Sequence, residues 1–154
     1  MADIALVWNP LLGEADLQIV NGDLLIDQGL QTASIISLFS DALAQPGDEI
    51  PDGSADRRGY WGDMPADPAN QDASTPPDYT GSRLWLIDRG LQTAVTLTNA
   101  QSYADESLAW MPTDGVAGSV AATATYPQLG WIDLLIAIEQ QGASTQFNTA
   151  WQYS

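Results

Sequence analysis

The chain has no cysteine, no histidine and no lysine. Lack of cysteine rules out disulfides and thiolate metal sites. Lack of histidine removes the usual general base, the usual zinc ligand and every Ser-His or Cys-His mechanism. No run of about 18 apolar residues occurs, so no membrane-spanning helix is expected. Residues Met1 to Ala5 carry no basic stretch and do not read as a secretory leader. Positive charge is nearly missing: four arginines stand against 20 carboxylates, 16 of them aspartate, and the net charge is −16. A field of that sign repels nucleic acid and anionic membrane surfaces. It suits either a solvated face that keeps a protein soluble or an acidic patch that meets a basic partner.

What positive charge exists is concentrated. Arg57, Arg58, Arg83 and Arg89 all lie between positions 57 and 89. They belong to two blocks, Arg57-Arg58-Gly59-Tyr60-Trp61-Gly62-Asp63 and Gly81-Ser82-Arg83-Leu84-Trp85-Leu86-Ile87-Asp88-Arg89. A guanidinium matches a carboxylate with parallel hydrogen bonds, so each arginine is a natural fastening point. Two roles are open. The arginines pin a loop inside the fold, through Asp63, Asp88 or Glu106, or they anchor the chain to another subunit. Tyr60, Trp61 and Trp85 add apolar area beside them. The tryptophans are expected beneath the loop, although Trp and Arg are also what interface hot spots are made of.

The remaining pattern is α+β in a single domain over 1–154: an N-terminal β-hairpin, two main helices, a C-terminal three-stranded antiparallel meander and a long internal loop. Residues 4–8 and 16–20 read as strands. Asn21-Gly22, before Asp23-Leu24-Leu25-Ile26, is a strong hairpin signal because both turn residues need positive φ. Residues 30–44 place Ile35, Leu38, Phe39, Ala42 and Leu43 on one helical stripe, stopped by Pro46-Gly47. Residues 45–80 are rich in Pro, Gly and Asp and are expected to form neither helix nor central strand. Residues 82–89 suit a short helix. A second main helix is expected over 97–111, with Thr98 and Gln101 at capping-box spacing and Leu97, Ala100, Ala104, Leu108 and Met111 on one face. Residues 116–126 are β-permissive. Residues 131–139 and 145–153 alternate strictly. Ile132, Leu134, Ile136 and Ile138 share one face, as do Thr145, Phe147, Thr149, Trp151 and Tyr153. The last strand is expected at a sheet edge, where unpaired backbone groups can accept a strand from another chain. Phe147, Trp151 and Tyr153 are candidate contacts there, or core residues.

No catalytic constellation stands out. Asp105 and Glu106 are adjacent on a helix and point to different sides, and Glu14, Glu49 and Glu139 sit in or beside turns. They give no glycosidase pair. Asp48, Asp52 and Asp56 recur in steps of four, whereas calcium loops step in twos with a closing glutamate. No phosphate-cradling or dinucleotide motif appears. The echo of Gly29-Leu30-Gln31-Thr32-Ala33 in Gly90-Leu91-Gln92-Thr93-Ala94 has unrelated flanks and is no duplication.

The order of these blocks resembles the phage-Mu-type tail baseplate wedge proteins, which look like distant relatives of the small wedge protein of T-even phages and of a type VI secretion baseplate subunit. The resemblance rests on the N-terminal hairpin, Gly29 to Ala33, Leu38-Phe39-Ser40-Asp41-Ala42, the two arginine blocks, Tyr103-Ala104-Asp105-Glu106-Ser107-Leu108-Ala109-Trp110 with Asp114-Gly115-Val116, and the paired C-terminal strands. It implies a structural part without turnover or cofactor, present in several copies in the virion baseplate and assembled in the host cytoplasm. The implied partners are other wedge subunits, the tail sheath and tube-proximal proteins, with no nucleic acid and no membrane. The competing expectation is a small carbohydrate-binding or cell-wall-cleaving module with Tyr60, Trp61 and Trp85 as its platform.

Overall fold

A computed structural model describes residues 3–27, 29–61, 63, 79–88, 91–140 and 142–152. Six short strands open the chain: β1 (Asp3–Ile4), β2 (Leu6–Asn9), β3 (Glu14–Leu17), β4 (Ile19–Val20), β5 (Asp23–Leu24) and β6 (Ile26–Asp27). All pairing among them is antiparallel, β1 with β6, β2 with β3 and β4 with β5. The β4–β5 turn is the expected one. Asn21 and Gly22 both have positive φ, 54° and 84°, as a two-residue hairpin of this hand requires. Residues 3–9 pair with both 14–17 and 26–27.

Helix α1 (Gln31–Phe39) is shorter than the periodicity predicts. Ile35 and Leu38 are buried as expected, but Ser40 is extended (φ −88°, ψ 141°) and Leu43 is exposed. The reason is tertiary. Residues 40–44 bond to a neighbouring segment: Ser82 N–H donates to Ser40 O at 2.8 Å, and Ala42 N–H donates to Ser82 O at 3.0 Å. The 3-10 helix Arg83–Ile87 follows that segment.

Helix α2 (Ala94–Leu108) starts three residues before the expected position. Thr93, not Thr98, is the cap: its extended backbone lets the hydroxyl accept from Thr96 N–H at 3.1 Å. Thr98 lies one turn in and donates back to Ala94 O at 2.9 Å. Ala100, Ala104, Leu108 and Met111 are fully buried on the expected face. Met111 belongs to α3 (Trp110–Thr113), whose first turn tolerates Pro112.

The C-terminal meander is β7 (Ser119–Thr125), β8 (Trp131–Gln140) and β9 (Ala143–Gln152), in the order β7-β8-β9. Ile132, Leu134, Ile136 and Ile138 turn inward and are at most 3% exposed. Helix α2 packs on β7, where Ala122 and Ala124 leave room for it. An aromatic cluster joins the N-terminal ribbon to this body. Trp8 stacks on Phe39 at 4.1 Å, and Phe39 meets Trp151 edge-on at 5.7 Å.

Candidate functional site

Residues 40–44 are the floor of the site, and the arginine blocks close over them. Trp85 sits on the 3-10 helix and is buried; its indole N–H donates to Ala42 O at 2.9 Å. Arg57 donates its guanidinium to Ala44 O and Gln45 O, while its own carbonyl accepts from Ala44 N–H at 3.0 Å. Arg58 adopts a left-handed backbone, φ 50°, which turns its side chain back across the floor. There it meets Asp41 at 2.8 Å and lies over the Trp85 ring at 4.5 Å.

Arg83 is more enclosed than Arg58, its side chain 15% exposed against 42%. It contacts Asp48 at 3.0 Å, binds Glu106, and lies 4.5 Å over the Tyr103 ring. Burial pulls its pKa down, but hydrogen bonds and charge from Glu106 and Asp48 outweigh this and hold it above the ordinary arginine value. Burial raises the Tyr103 pKa, with Asp48 and Glu106 adding to the rise and Arg83 opposing it. Asp48 is held in place by its own turn. Its carboxylate accepts Gln45 N–H at 2.7 Å, and its N–H donates to Gln45 O at 2.9 Å. The Gln45 side chain in turn donates to Glu106 at 3.3 Å. One cluster thus ties the 45–48 turn, the 3-10 helix and α2 together.

Two local features let the segments come this close. A Cβ on Gly81 would stand 2.5 Å from Ser40 O, and Gly81 has φ +103°, a conformation essentially reserved for glycine. Asp63 accepts Thr80 N–H with both oxygens, at 3.1 and 3.0 Å, so the two ends of the segment that contains 64–78 are clasped together.

The expected residues therefore divide. Arg57, Arg58 and Trp85 meet the 40–44 segment, Arg83 joins the 45–48 turn to α2, and Asp63 closes the loop base. Tyr60 is half-buried with its ring 5.5 Å from Trp61, but Trp61 is not packed under the loop: it is 89% exposed. Arg89 lies outside the described residues. Glu106 was among the expected acidic partners; Asp41 and Asp48 were missed. The Pro46-Gly47 turn that aims Asp48 at Arg83 was the available signal.

The β9 candidates also divide. Phe147 and Trp151 are on the last strand, but their side chains face the core: Phe147 is half-buried and Trp151 is 9% exposed. Tyr153 lies outside the described residues. What β9 offers at its outer edge is backbone. The register and the bond from the Trp8 indole to Ala150 O, 2.9 Å, put the outward groups on even-numbered residues. Among the described residues, no hydrogen bond closes the outer backbone of Ser144, Gln146 and Asn148. The opposite edge is blunted, because Ala122 N–H donates to the Asp105 carboxylate at 2.8 Å and Ala124 N–H donates to the Gln101 side chain at 3.5 Å.

Among the described residues, no group of three or more acidic side chains is placed to hold a metal ion, and no helix is long and apolar enough to cross a membrane. The adjacent carboxylates of Asp105 and Glu106 are both engaged, one by a strand and the other by Arg83.

Baseplate protein gp46 of Escherichia phage Mu is 39% identical over 138 residues, spanning 90% of this chain and 87% of its own. Mu-like prophage FluMu protein gp46 of Haemophilus influenzae is 36% identical over 149 residues, spanning 97% and 95%. Residues 30–145 match the family described as phage protein GP46, and that stretch holds both arginine blocks, the clamped segment and most of the meander. The chain belongs to the phage GP46 family.

Proposed function

We propose that this protein is a structural subunit of the baseplate of a contractile phage tail or tail-like particle, part of the wedge that links to the tube and the start of the sheath. The observation that carries the reading is the 39% identity to the Mu baseplate protein across 90% of the chain. The architecture fits a part that works by presenting surface. Its best-built polar cluster is an internal clamp, many of its described carboxylates pair with backbone or arginine, and one edge of its main sheet is left open. In this reading the chain acts as one domain without turnover. It is present in several copies in the virion baseplate after assembly in the host cytoplasm, and it touches other wedge subunits, sheath and tube-proximal proteins. The free stretch of β9 receives backbone hydrogen bonds from a neighbouring chain. Arg58 and Arg83 hold the loop in the shape its neighbours meet.

The test is a reconstruction of intact particles with this chain traced, paired with particles made from Arg58→Ala and Arg83→Ala chains. The chain is expected at the baseplate, and both variants are expected to be lost from it. Particles that are complete without the chain refute the reading. Normal incorporation of both variants refutes the arginines' share in it.

A further inference from the structure

The six short strands at the start of the chain carry a concentration of apolar side chains that the fold does not cover. At their outer hairpin, Ile19 is 70% exposed, Val20 42%, Leu24 37% and Ile26 53%. Neighbouring residues of a strand point to opposite faces. Ile19 lies opposite Leu24, so these two share one face, and Val20 shares the other with Asp23. Apolar side chains are therefore bare on both faces of the β4–β5 hairpin. A two-stranded hairpin of this kind is marginal in water, and a contiguous exposed apolar patch marks a docking surface.

Charge says what the surface meets. Asp16 and Asp23 flank the apolar residues and are exposed, and residues 3–27 contain five carboxylates and no basic residue. A second copy of this chain is the wrong occupant. Ribbon against ribbon would set carboxylates against carboxylates, and among the described residues the arginines of another copy, Arg57, Arg58 and Arg83, are already engaged by Ala44 and Gln45 carbonyls, Asp41, Asp48 and Glu106. Anionic lipid is repelled for the same reason. Exposure on both faces calls for an occupant that wraps the hairpin, which a flat surface does not do. Resting on the reading above, we propose that the β4–β5 hairpin is a docking finger that enters an apolar cleft, rimmed by lysine or arginine, on a different protein of the particle.

The test is incorporation of the full-length chain into particles, measured by quantitative mass spectrometry. The variants are Ile19→Ser/Leu24→Ser and Asp16→Asn/Asp23→Asn. All four positions are solvent-facing, so unchanged melting curves are expected. The serine pair removes the centre of the contact and is expected to lower incorporation by at least about tenfold. The asparagine pair is expected to lower it only a few-fold and to flatten its dependence on salt during assembly, as rim charges act mainly on encounter. A photocrosslinker at Val20 in assembled particles is expected to capture a different particle protein, through a segment containing lysine or arginine. Undiminished incorporation of the serine pair, with wild-type chain present, overturns the docking and leaves the baseplate assignment standing. Absence of wild-type chain from particles overturns both. A Val20 crosslink to a second copy, or flotation of the chain with neutral lipid vesicles that the serine pair abolishes, overturns the basic-rimmed cleft.

Discussion

Replacing Arg83 with methionine tests the internal clamp most directly. Methionine keeps much of the apolar stem, so the loss reports on the guanidinium. The Asp48 side chain is 14% exposed and would be left without its cation, whereas Glu106 is 48% exposed and can turn to water. Removing one partner of a buried pair costs about 3–5 kcal/mol, and an exposed pair contributes about 0–1 kcal/mol. The cation over the Tyr103 ring adds about 0.5–1 kcal/mol. The Arg83–Asp48 pair is part-buried, so the low end of its range applies, and Arg83→Met is expected to lose about 3–5 kcal/mol in all, most of it through Asp48. For a chain of this length that lowers Tm by roughly 6–20 °C. Urea unfolding of two double-mutant cycles separates the arms. Coupling of Arg83→Met with Asp48→Asn is expected above about 2 kcal/mol, and coupling with Glu106→Gln below about 1 kcal/mol. Equal couplings, or a loss under about 1 kcal/mol for Arg83→Met alone, would refute the assignment of the clamp to Asp48.

Other substitutions probe other joints. Gly81→Ala puts a Cβ against Ser40 O at a φ that alanine avoids, so it is expected to cost more than about 2 kcal/mol in urea unfolding; a change within about 0.5 kcal/mol would contradict the close approach. Asp27 accepts Thr32 N–H and Gly29 N–H, each at 2.8 Å, at the start of α1. Burial pushes its carboxyl up, but the backbone bonds from Thr32 and Gly29 and the Thr32 hydroxyl overcome this and hold it below 3.8. Its stabilising contribution is thus present above that value and fades as pH falls through the lower folded value. Asp27→Asn is expected to melt earlier than wild type at neutral pH, by about 1 kcal/mol, with the two converging in acid. Asp133 behaves oppositely. Burial raises its carboxyl above 3.8, so the fold disfavours its charge, and the penalty is full above the raised folded value and absent below 3.8. Asp133→Asn is expected to melt later than wild type at neutral pH, with no gain in strong acid; thermal scans across pH decide both cases.

Short-range chemistry was enough for much of this fold. Asn21-Gly22 makes its hairpin because both residues tolerate positive φ, whatever surrounds them. The alternation from Trp131 to Gln140 admits one register, since a slip by one residue would turn four buried aliphatics to water. The 64–78 stretch of the expected loop and Tyr153 lie outside the described residues. Helix ends were the weaker expectation, because caps compete at similar spacing and Thr93 and Thr98 both offer a hydroxyl.

Residue types and their spacing were sufficient to establish an α+β chain with scarce cations, a hairpin at one end and a meander at the other. They could not establish where α1 stops, which carboxylates the arginines take, or that Trp61 stands in solvent while Trp85 is buried. Those outcomes depend on pairs far apart in the chain: Ser82 with Ser40, Arg58 with Asp41, Arg83 with Asp48 and Glu106. With 20 carboxylates for four guanidinium groups, composition leaves the pairing open, and only the folded path of residues 40–48 past the 3-10 helix selects it.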